Sequence, residues 1–469
     1  MSSTFTGITT ALNALMAHRQ AIDVAGQNVA NANTVGYTRQ RADLTAVSAT
    51  GHGGLFTKID APGWGVEVTS ITRIVDSFVD ARQRDAHASS AFANAVQAAW
   101  TGIEQVVNEP SDTGISAQLS EFWSSWHDVA NHPDDVSARS QLLSQARTLA
   151  STITSSRAAV DTQFTTTRNQ LSAVADQISS TARSVADLND RIRTAQATGS
   201  QVNELADQRD QLVLQLSDLA GATARSNDDG TVDVLLGGSM LVSGTRSTAV
   251  RVAGSDNVDN VGTTSPTGPG PVHLEFTDGR SVVVTSGQAG GLMTAMNTVY
   301  PSAAAGLDSV ATTLRDTVNT VHRTGKGLDD ADAAGRDFFS GTSARTLAVA
   351  ITDPRQVAAA AGDKGSFDAS LADSIAQLGG APGSADVTWR SYVAQIGVGS
   401  QAATRRVTLQ DSVVKQADGA RDSVSGVSVD EEMTNLLMFQ RAYEGAARVM
   451  TAVDQTLDTL INRTGLVGR

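Results

Sequence analysis

The chain has 469 residues, 49 acidic against 35 basic side chains and a formal net charge of −14. It has room for about three domains and carries no basic stripe that would follow a phosphate backbone or an anionic bilayer, so neither nucleic acid nor membrane is an expected partner. It contains no cysteine, which excludes disulfides, thiolate metal sites and thiol catalysis.

There is no run of about eighteen apolar residues, and the start Met1-Ser2-Ser3-Thr4-Phe5 lacks the basic and apolar regions of a cleavable signal, so the chain is expected to be soluble when made. The first thirty-odd residues read as a helix in which Phe5, Ile8, Leu12, Leu15, Ile22 and Val29 recur at steps of three and four, broken by Arg19 and Gly26. That is a heptad seam. Residues 45–65 hold Gly51, Gly53, Gly54, Pro62 and Gly63 and read as a linker or extended arm, and 66–71 as a short strand. Helical spacing returns over 76–107 and ends at Pro110; a second helix over 115–130 puts Leu119, Phe122, Trp123 and Trp126 on one face and closes at Pro133.

From 136 to 219 there is no proline. Leu142, Leu149, Ile153, Val160, Phe164, Leu171, Val174, Ile178, Val185, Leu188 and Ile192 recur at helical intervals, which predicts one or two long helices. Gly199 marks a break, and 202–219 a returning antiparallel helix. The period then changes. After the turn Asn227-Asp228-Asp229-Gly230, short strands are expected at 231–236, 241–242, 249–252, 272–276 and 281–285, with a flexible loop at 254–271 and a hairpin at Thr277-Asp278-Gly279-Arg280. A helix over 291–321 is expected to kink at Pro301; a turn at 324–335, a strand near 347–351 and a stretch over 389–409 that leads to a break at Ser423–Gly426 before the final helix follow.

The final helix, 428–462, opens on the capping box Ser428…Glu431. Its apolar positions Met433, Leu436, Tyr443, Ala447, Met450, Leu457 and Ile461 form a second heptad seam, broken at Gln440 and Asp454. A helix with one apolar face needs a partner, and the other end of the same chain can supply it. Seams without cover are expected to stay largely unformed in a free chain and to order on assembly.

The fold class expected is mainly α with a β-rich inserted domain, built from long helical hairpins and a coiled coil of both termini. The expected domains are nested: 1–47 with 412–469 as a terminal coiled coil, 48–221 with 287–411 as a long-helix domain, and 222–286 as an outward β-rich domain.

Sequence patterns that carry chemistry are weak. Asp329-Asp330-Ala331-Asp332 starts like a calcium loop, but the twelfth position from Asp330 is Gly341 where a glutamate is needed. His127 and His132, beside Asp128, Asp134 and Asp135, straddle Pro133 and match no zinc spacing. Gly51-His52-Gly53-Gly54 would suit an oxyanion loop, yet no Gly-x-Ser-x-Gly elbow accompanies it, and neither His-Glu-x-x-His nor a Walker loop occurs. Trp100, Trp123 and Trp126 read as core. No catalytic residue, cofactor site or metal site is assigned.

The segment Ala30-Asn31-Ala32-Asn33-Thr34-Val35-Gly36-Tyr37-Thr38-Arg39-Gln40 resembles the signature of bacterial flagellar rod, hook and hook-associated proteins, with Asn31, Asn33, Thr34, Gly36, Tyr37, Arg39 and Gln40 as its motif residues. The stretch from Ser425 through Asp430-Glu431-Glu432-Met433 into Gln440-Arg441-Ala442-Tyr443 is similar, within that group, to the hook-filament junction proteins. Glu109-Pro110-Ser111-Asp112-Thr113-Gly114 running to Phe122 and Trp126, Asp207-Gln208-Arg209-Asp210-Gln211-Leu212, and Gly335-Arg336-Asp337-Phe338-Phe339 agree in the same order.

The resemblance implies a structural, non-enzymatic subunit of the extracellular flagellum, exported by the flagellar type III route without a cleaved signal. Its implied partners are copies of itself in a ring, a hook protein, a second junction protein on the filament side and an export chaperone at the C-terminal helix. Both terminal seams are the expected subunit interface. Another axial protein, or a secreted enzyme carried on an axial scaffold, remains the alternative.

Overall fold

The computed structural model describes residues 2–48, 63–262, 269–329, 335–362 and 365–463. Helix α1 (Ser2–Ala30) is followed by an antiparallel ribbon of β1 (Gln40–Ala46) and β2 (Val66–Arg73), bulged between Asp43 and Leu44. Then come α2 (Ser77–Val107), α3 (Ile115–Asn131), α4 (Val136–Ala197) and α5 (Asn203–Ala220). Strands β3 (Thr223–Ser226), β4 (Val232–Leu236), β5 (Ser239–Ser243) and β6 (Arg246–Ser247) form one antiparallel sheet. Strands β7 (Val250–Ala253), β8 (His273–Phe276) and β9 (Ser281–Val282) form a second. Helix α6 (Gly287–Thr294) runs through a π turn (Ala295–Val299) into α7 (Tyr300–His322).

Two small ribbons come next. Strand β10 (Gly325–Lys326) pairs with β13 (Ala360–Ala361), and β11 (Phe339–Ser340) with β12 (Ala348–Val349). The chain closes with α8 (Ser370–Ala376), α9 (Ala385–Ser425) and α10 (Val429–Asp458).

The spine is α4, 62 residues and so about 90 Å long at 1.5 Å per residue. Asp135 caps it by accepting the Ser137 N–H at 2.7 Å. Every apolar position singled out on it, from Leu142 to Ile192, is buried. After the turn at Gly199, α5 returns antiparallel against it, and Arg209 reaches Asn189 at 3.4 Å across the pair.

Polar side chains on α4 pin successive loops and strands to the spine. Arg139 donates to the carbonyls of Pro133 and Val357, and Thr154 to that of Ala344 at 3.2 Å. Arg168 donates to Ser255 O at 3.1 Å, and Ser179 Oγ accepts the Val250 N–H at 3.0 Å. Asn189 grips the first sheet: its Oδ1 accepts the Val232 N–H at 3.1 Å and its Nδ2 donates to Val232 O at 2.8 Å and Gly244 O at 2.6 Å. Replacing Asn189 with alanine strands these buried groups, so we expect a loss of about 2–4 kcal/mol in urea unfolding. A loss under about 0.5 kcal/mol would show that water replaces the side chain.

Several sequence expectations shift. Pro301, expected to kink a helix, stands in the first turn of α7, directly after the π turn, where the hydrogen-bond ladder is already displaced. Helix α9 runs from Ala385 to Ser425 and ends within the expected break at Ser423–Gly426, so the domain boundary expected at 411/412 falls inside it. Strand β1 occupies part of the stretch read as linker, and residues 49–62, with Gly51-His52-Gly53-Gly54, lie outside the described residues. Asp330, Ala331 and Asp332 also lie outside them, and Asp329 pairs with Arg336 at 2.6 Å.

One continuous core joins helices and both sheets, its fully buried members running from Ala99 to Ile396. Helices α7 and α9 meet closely because residue 306 is glycine; a Cβ there would stand 2.3 Å from the Tyr392 ring. Among the described residues, none of α1 or α10 belongs to this core.

Candidate functional site at the junction of the chain ends

Helices α1 and α10 lie antiparallel. A Cβ on Gly7 would meet Val453 Cγ2 at 3.3 Å, the His18 and Phe439 rings are 6.4 Å apart, and Asn28 bonds Glu432. On α1 the buried stripe is Ala11, Ala17, Ala21, Val24, Ala25 and Asn28. This is a correction to the predicted seam, which lies about 100° round the helix. Small residues let two backbones approach closely, and that contact displaces the bulkier stripe next to it.

Of the seam residues on α1, Ile8, Leu15, Ile22 and Val29 are half-buried and Leu12 is 41% exposed; Phe5 lies in α1, its side chain outside the described set. On α10, Leu436, Met450 and Leu457 are half-buried, while Met433 and Tyr443 are exposed. Ile461, in the π turn after α10, is 75% exposed. Helices α1 and α10 each half-cover the other along the pair.

The Asn31–Gln40 segment folds back from α1 and delivers its side chains to the start of α10. The Asn31 and Thr34 side chains bond each other at 3.2 Å, with Asn33 exposed. Gly36 has φ 83°, and a Cβ there would stand 2.5 Å from Gln211 Oε1, so this turn requires glycine. Tyr37 donates to Asn28 Oδ1 at 2.8 Å. Burial, then the charges of Asp207, Glu204 and Glu432, push its hydroxyl up to about 12, so it keeps the proton it donates. The Gln40 N–H donates to the same Oδ1 at 3.0 Å, and Asn28 Nδ2 donates to Gln40 O at 2.8 Å and to Glu432 Oε2 at 3.0 Å.

Arg39 Nε donates to Glu432 Oε1 at 2.8 Å, its Nη1 reaches Glu431 at 2.9 Å, and its N–H donates to Ser425 O at 2.9 Å. Ser428 accepts the Glu431 N–H at 3.5 Å, so one half of the capping box forms while the Glu431 carboxylate goes to Arg39. Glu432 is only 3% exposed, and its charge is compensated by Arg39 and the Asn28 amide.

The same segment is tied to the body. The Thr38 N–H donates to Asp207 Oδ2 at 3.1 Å, and Arg73 bridges Asp207 at 2.8 Å and Asp210 at 2.7 Å. The Asn203 amide donates to Gln40 Oε1 at 3.0 Å and Ile71 O at 2.9 Å. Beyond these, His87 bridges Asp218 of α5 (3.3 Å) and Asp418 of α9 (3.0 Å). Its hydrogen bond to Asp218, aided by Asp418 against burial, pushes it up to about 9. Arg421 lies 3.8 Å from Asp80. A cleft of about 760 Å³ opens between the motif turn, α2, α5 and the end of α9.

The junction is therefore a polar clasp in which three separated stretches meet: the Asn31–Gln40 segment, the Asp207–Leu212 stretch and the Glu431-Glu432 pair. Reading the sequence missed Asn28, Arg73 and His87. Asn28 carried a signal, a lone amide at a buried heptad position; Arg73 and His87 carried none. Among the described residues no group of three or more His, Asp or Glu side chains is placed to hold a metal, and no helix is long and apolar enough to cross a membrane.

Comparison with known proteins places these elements. Residues 100–339 match the family model of the flagellar hook-associated protein FlgK helical domain. Residues 421–463 match the flagellar basal body rod FlgEFG protein C-terminal model, and 8–38 the flagella basal body rod protein model. Flagellar hook-associated protein 1 of Bacillus subtilis is 29% identical over 510 residues, covering 100% of both chains. That of Escherichia coli is 24% identical over 563 residues, covering 97% of this chain and 99% of its own. The solved flagellar hook junction protein FlgK from Burkholderia pseudomallei shares the fold, with a TM-score of 0.63 at 16% identity over 73% of this chain and 100% of that one. With the helical-domain match alone spanning just over half of its residues, the chain belongs to the flagellar hook-associated protein FlgK family.

Proposed function

We propose that this chain is a structural subunit of the bacterial flagellum that forms an adapter ring between hook and filament. The observation that carries this reading is the division of the molecule. The body owns a continuous core, while α1 and α10 stand outside it with large apolar side chains uncovered: Leu12, Met16, Met433, Leu437, Met438 and Tyr443. Copies packed side by side would bury these at about 25 cal/mol per Å². Many weak contacts then make one ring. The domains proposed are the terminal pair, the long-helix body and the β-rich insertion, with the C-terminal hinge at 426–428 rather than at 411/412.

Its partners in this reading are further copies of itself, a hook protein, a second junction protein on the filament side, and an export chaperone at the C-terminal helix. Export without a cleaved signal brings it to the extracellular flagellum. The work is mechanical, and no step of chemistry is assigned to it.

A strain lacking the protein should assemble hooks without filaments and lose flagellin to the medium; normal filaments would overturn the adapter role. Paired aspartates at Met433 and Tyr443, both exposed in the single chain, should leave the melt of the purified protein within about 1 kcal/mol of the parent. They should also abolish immunolabelling at the hook tip. Normal tip labelling would show that this seam is not the polymer contact.

A further inference from the structure

Arg209 of α5 is buried, at 6% exposure, yet its guanidinium is only partly satisfied. Nη1 donates to Gly230 O at 2.7 Å and lies 3.4 Å from Asn189 Oδ1, so it holds the turn between β3 and β4 together with the side chain that grips β4. Its Nε–H has no hydrogen-bond partner among the described residues, although Asp210 Oδ1 stands 3.5 Å away. Asp210 is already engaged: Arg73 of β2 holds its other oxygen at 2.7 Å and Asp207 at 2.8 Å. Burial lowers Arg209 from its ordinary value; Asp210 opposes the fall and the charge of Arg73 adds to it. Two guanidiniums compete for one carboxylate, and the one on the ribbon has it.

We propose that Arg209 is a toggle that couples the seating of the β1–β2 ribbon on α5 to the turn at 227–231 of the first sheet. With the ribbon seated, Arg73 neutralises Asp207 and Asp210, and Arg209 reaches across to Gly230 and Asn189. With the ribbon lifted, two carboxylates three residues apart on α5 lose their cation. Like charges at that spacing repel, and Asp207 is only 8% exposed, so the pair draws the cation at hand, which is Arg209. Its Nε need close by only about half an ångström to bond Asp210, and taking a carboxylate along the Nε–Nη2 edge turns Nη1 away from Gly230 O. The Gly230 carbonyl and Asn189 Oδ1 then each lose a donor. The turn loosens, while the continuous core, to which β2 contributes none of its described residues, stays closed. The toggle is a property of one chain and holds whether or not copies join in a ring.

The test is amide hydrogen exchange on the full-length purified chain, comparing Arg73→Met with Arg73→Met/Asp210→Asn. The first substitution removes the competing cation wherever the ribbon lies, and the second removes what Arg209 is drawn to. The N–H groups of Gly230, Thr231 and Val232, bonded to Asn227 O, Asp229 Oδ1 and Asn189 Oδ1, report on the turn. They should exchange about tenfold faster in the single variant than in the double. In an Arg209→Met background, adding Asp210→Asn should change nothing.

Amides over 171–178 of α4 should exchange alike in every variant; if Arg73→Met speeds these too, Arg73→Gln, which keeps a long polar side chain, takes its place. Equal exchange at the turn in the single and double variants would overturn the proposal, because a contact that merely props the turn is not mended by removing a carboxylate. A difference that survives Arg209→Met would overturn it as well, since Asp210 would then act on the turn without Arg209.

Discussion

Replacing Trp126 with alanine should destabilise the body by about 3–5 kcal/mol, the range for emptying a large aromatic site. Trp126 is wholly buried. Its ring is 5.3 Å from Phe338, 6.3 Å from His322 and 6.4 Å from Phe122, the last edge-on at 88°. Phe122 also touches Phe339 at 5.6 Å. The cluster joins α3, the β11 strand and the end of α7, so a cavity there loosens three elements together. The indole N–H has no hydrogen-bond partner among the described residues, so Trp126→Phe forfeits packing alone and should cost about 1–2 kcal/mol. Urea unfolding of both variants checks this: a midpoint within experimental scatter of the parent for Trp126→Ala would mean that the neighbouring rings collapse to fill the site.

Stability should fall on both sides of about pH 6.5, with His322 contributing to the acid flank, alongside His18 that burial also lowers, and His87 to the alkaline one. His322 is buried and neutral: its Nδ1–H donates to Arg336 O at 2.9 Å, and its Nε2 accepts the Ala358 N–H at 2.9 Å. A second proton would face that N–H, and burial drives the group down to about 4. Its unfolded value is about 6.5, so the unfolded chain takes up the proton first. Stability is therefore intact above pH 6.5 and falls by about 3 kcal/mol as pH drops to 4.

His87 has the opposite sign. Raised to about 9 by Asp218 and Asp418, it contributes fully below pH 6.5 and loses its contribution as pH climbs through 9. That contribution is about 1–2 kcal/mol once the solvent exposure of both carboxylates is allowed for. Unfolding free energies from pH 4 to 10 should show both flanks, with His87→Gln flattening the alkaline one and His322→Asn softening the acid one. A parent profile that rises steadily from 6.5 to 9 would contradict the assignment to His87.

Much of the fold was legible because long helices declare themselves. The proline-free stretch from 136 and its apolar positions gave α4 nearly residue for residue, since a buried stripe over 62 residues cannot arise without a 3.6 period. The ribbons β10–β13 and β11–β12 were not legible, because two-residue strands have no period to read. Strand β1 hid for another reason: much of Gln40–Ala46 is exposed and carries no alternation of apolar residues.

At the junction, the sequence named the Asn31–Gln40 and Asp207–Leu212 stretches, but nothing local says that Thr38 N–H finds a carboxylate 169 residues away. The phase of α1 was misread for a related reason. Periodicity weights large side chains, so Leu12 and Leu15 outvoted Ala21 and Ala25, while a pairwise contact between two helices is decided by how closely their backbones fit and by where a charge must go.

The exclusion of α1 and α10 from the core has a mechanical consequence. An apolar core resists bending, since any opening exposes surface that water will not wet favourably. The clasp that joins the ends to the body is made instead of polar contacts: Thr38 and Arg73 on Asp207, Arg73 on Asp210, whose carboxylate is 39% exposed, and Asn203 on Gln40 and Ile71. Such contacts exchange with water at small cost and can be remade at a slightly different angle. The body can then tilt on its terminal pair as one stiff piece on a compliant neck, and the stiffness of that neck falls as salt screens its charges.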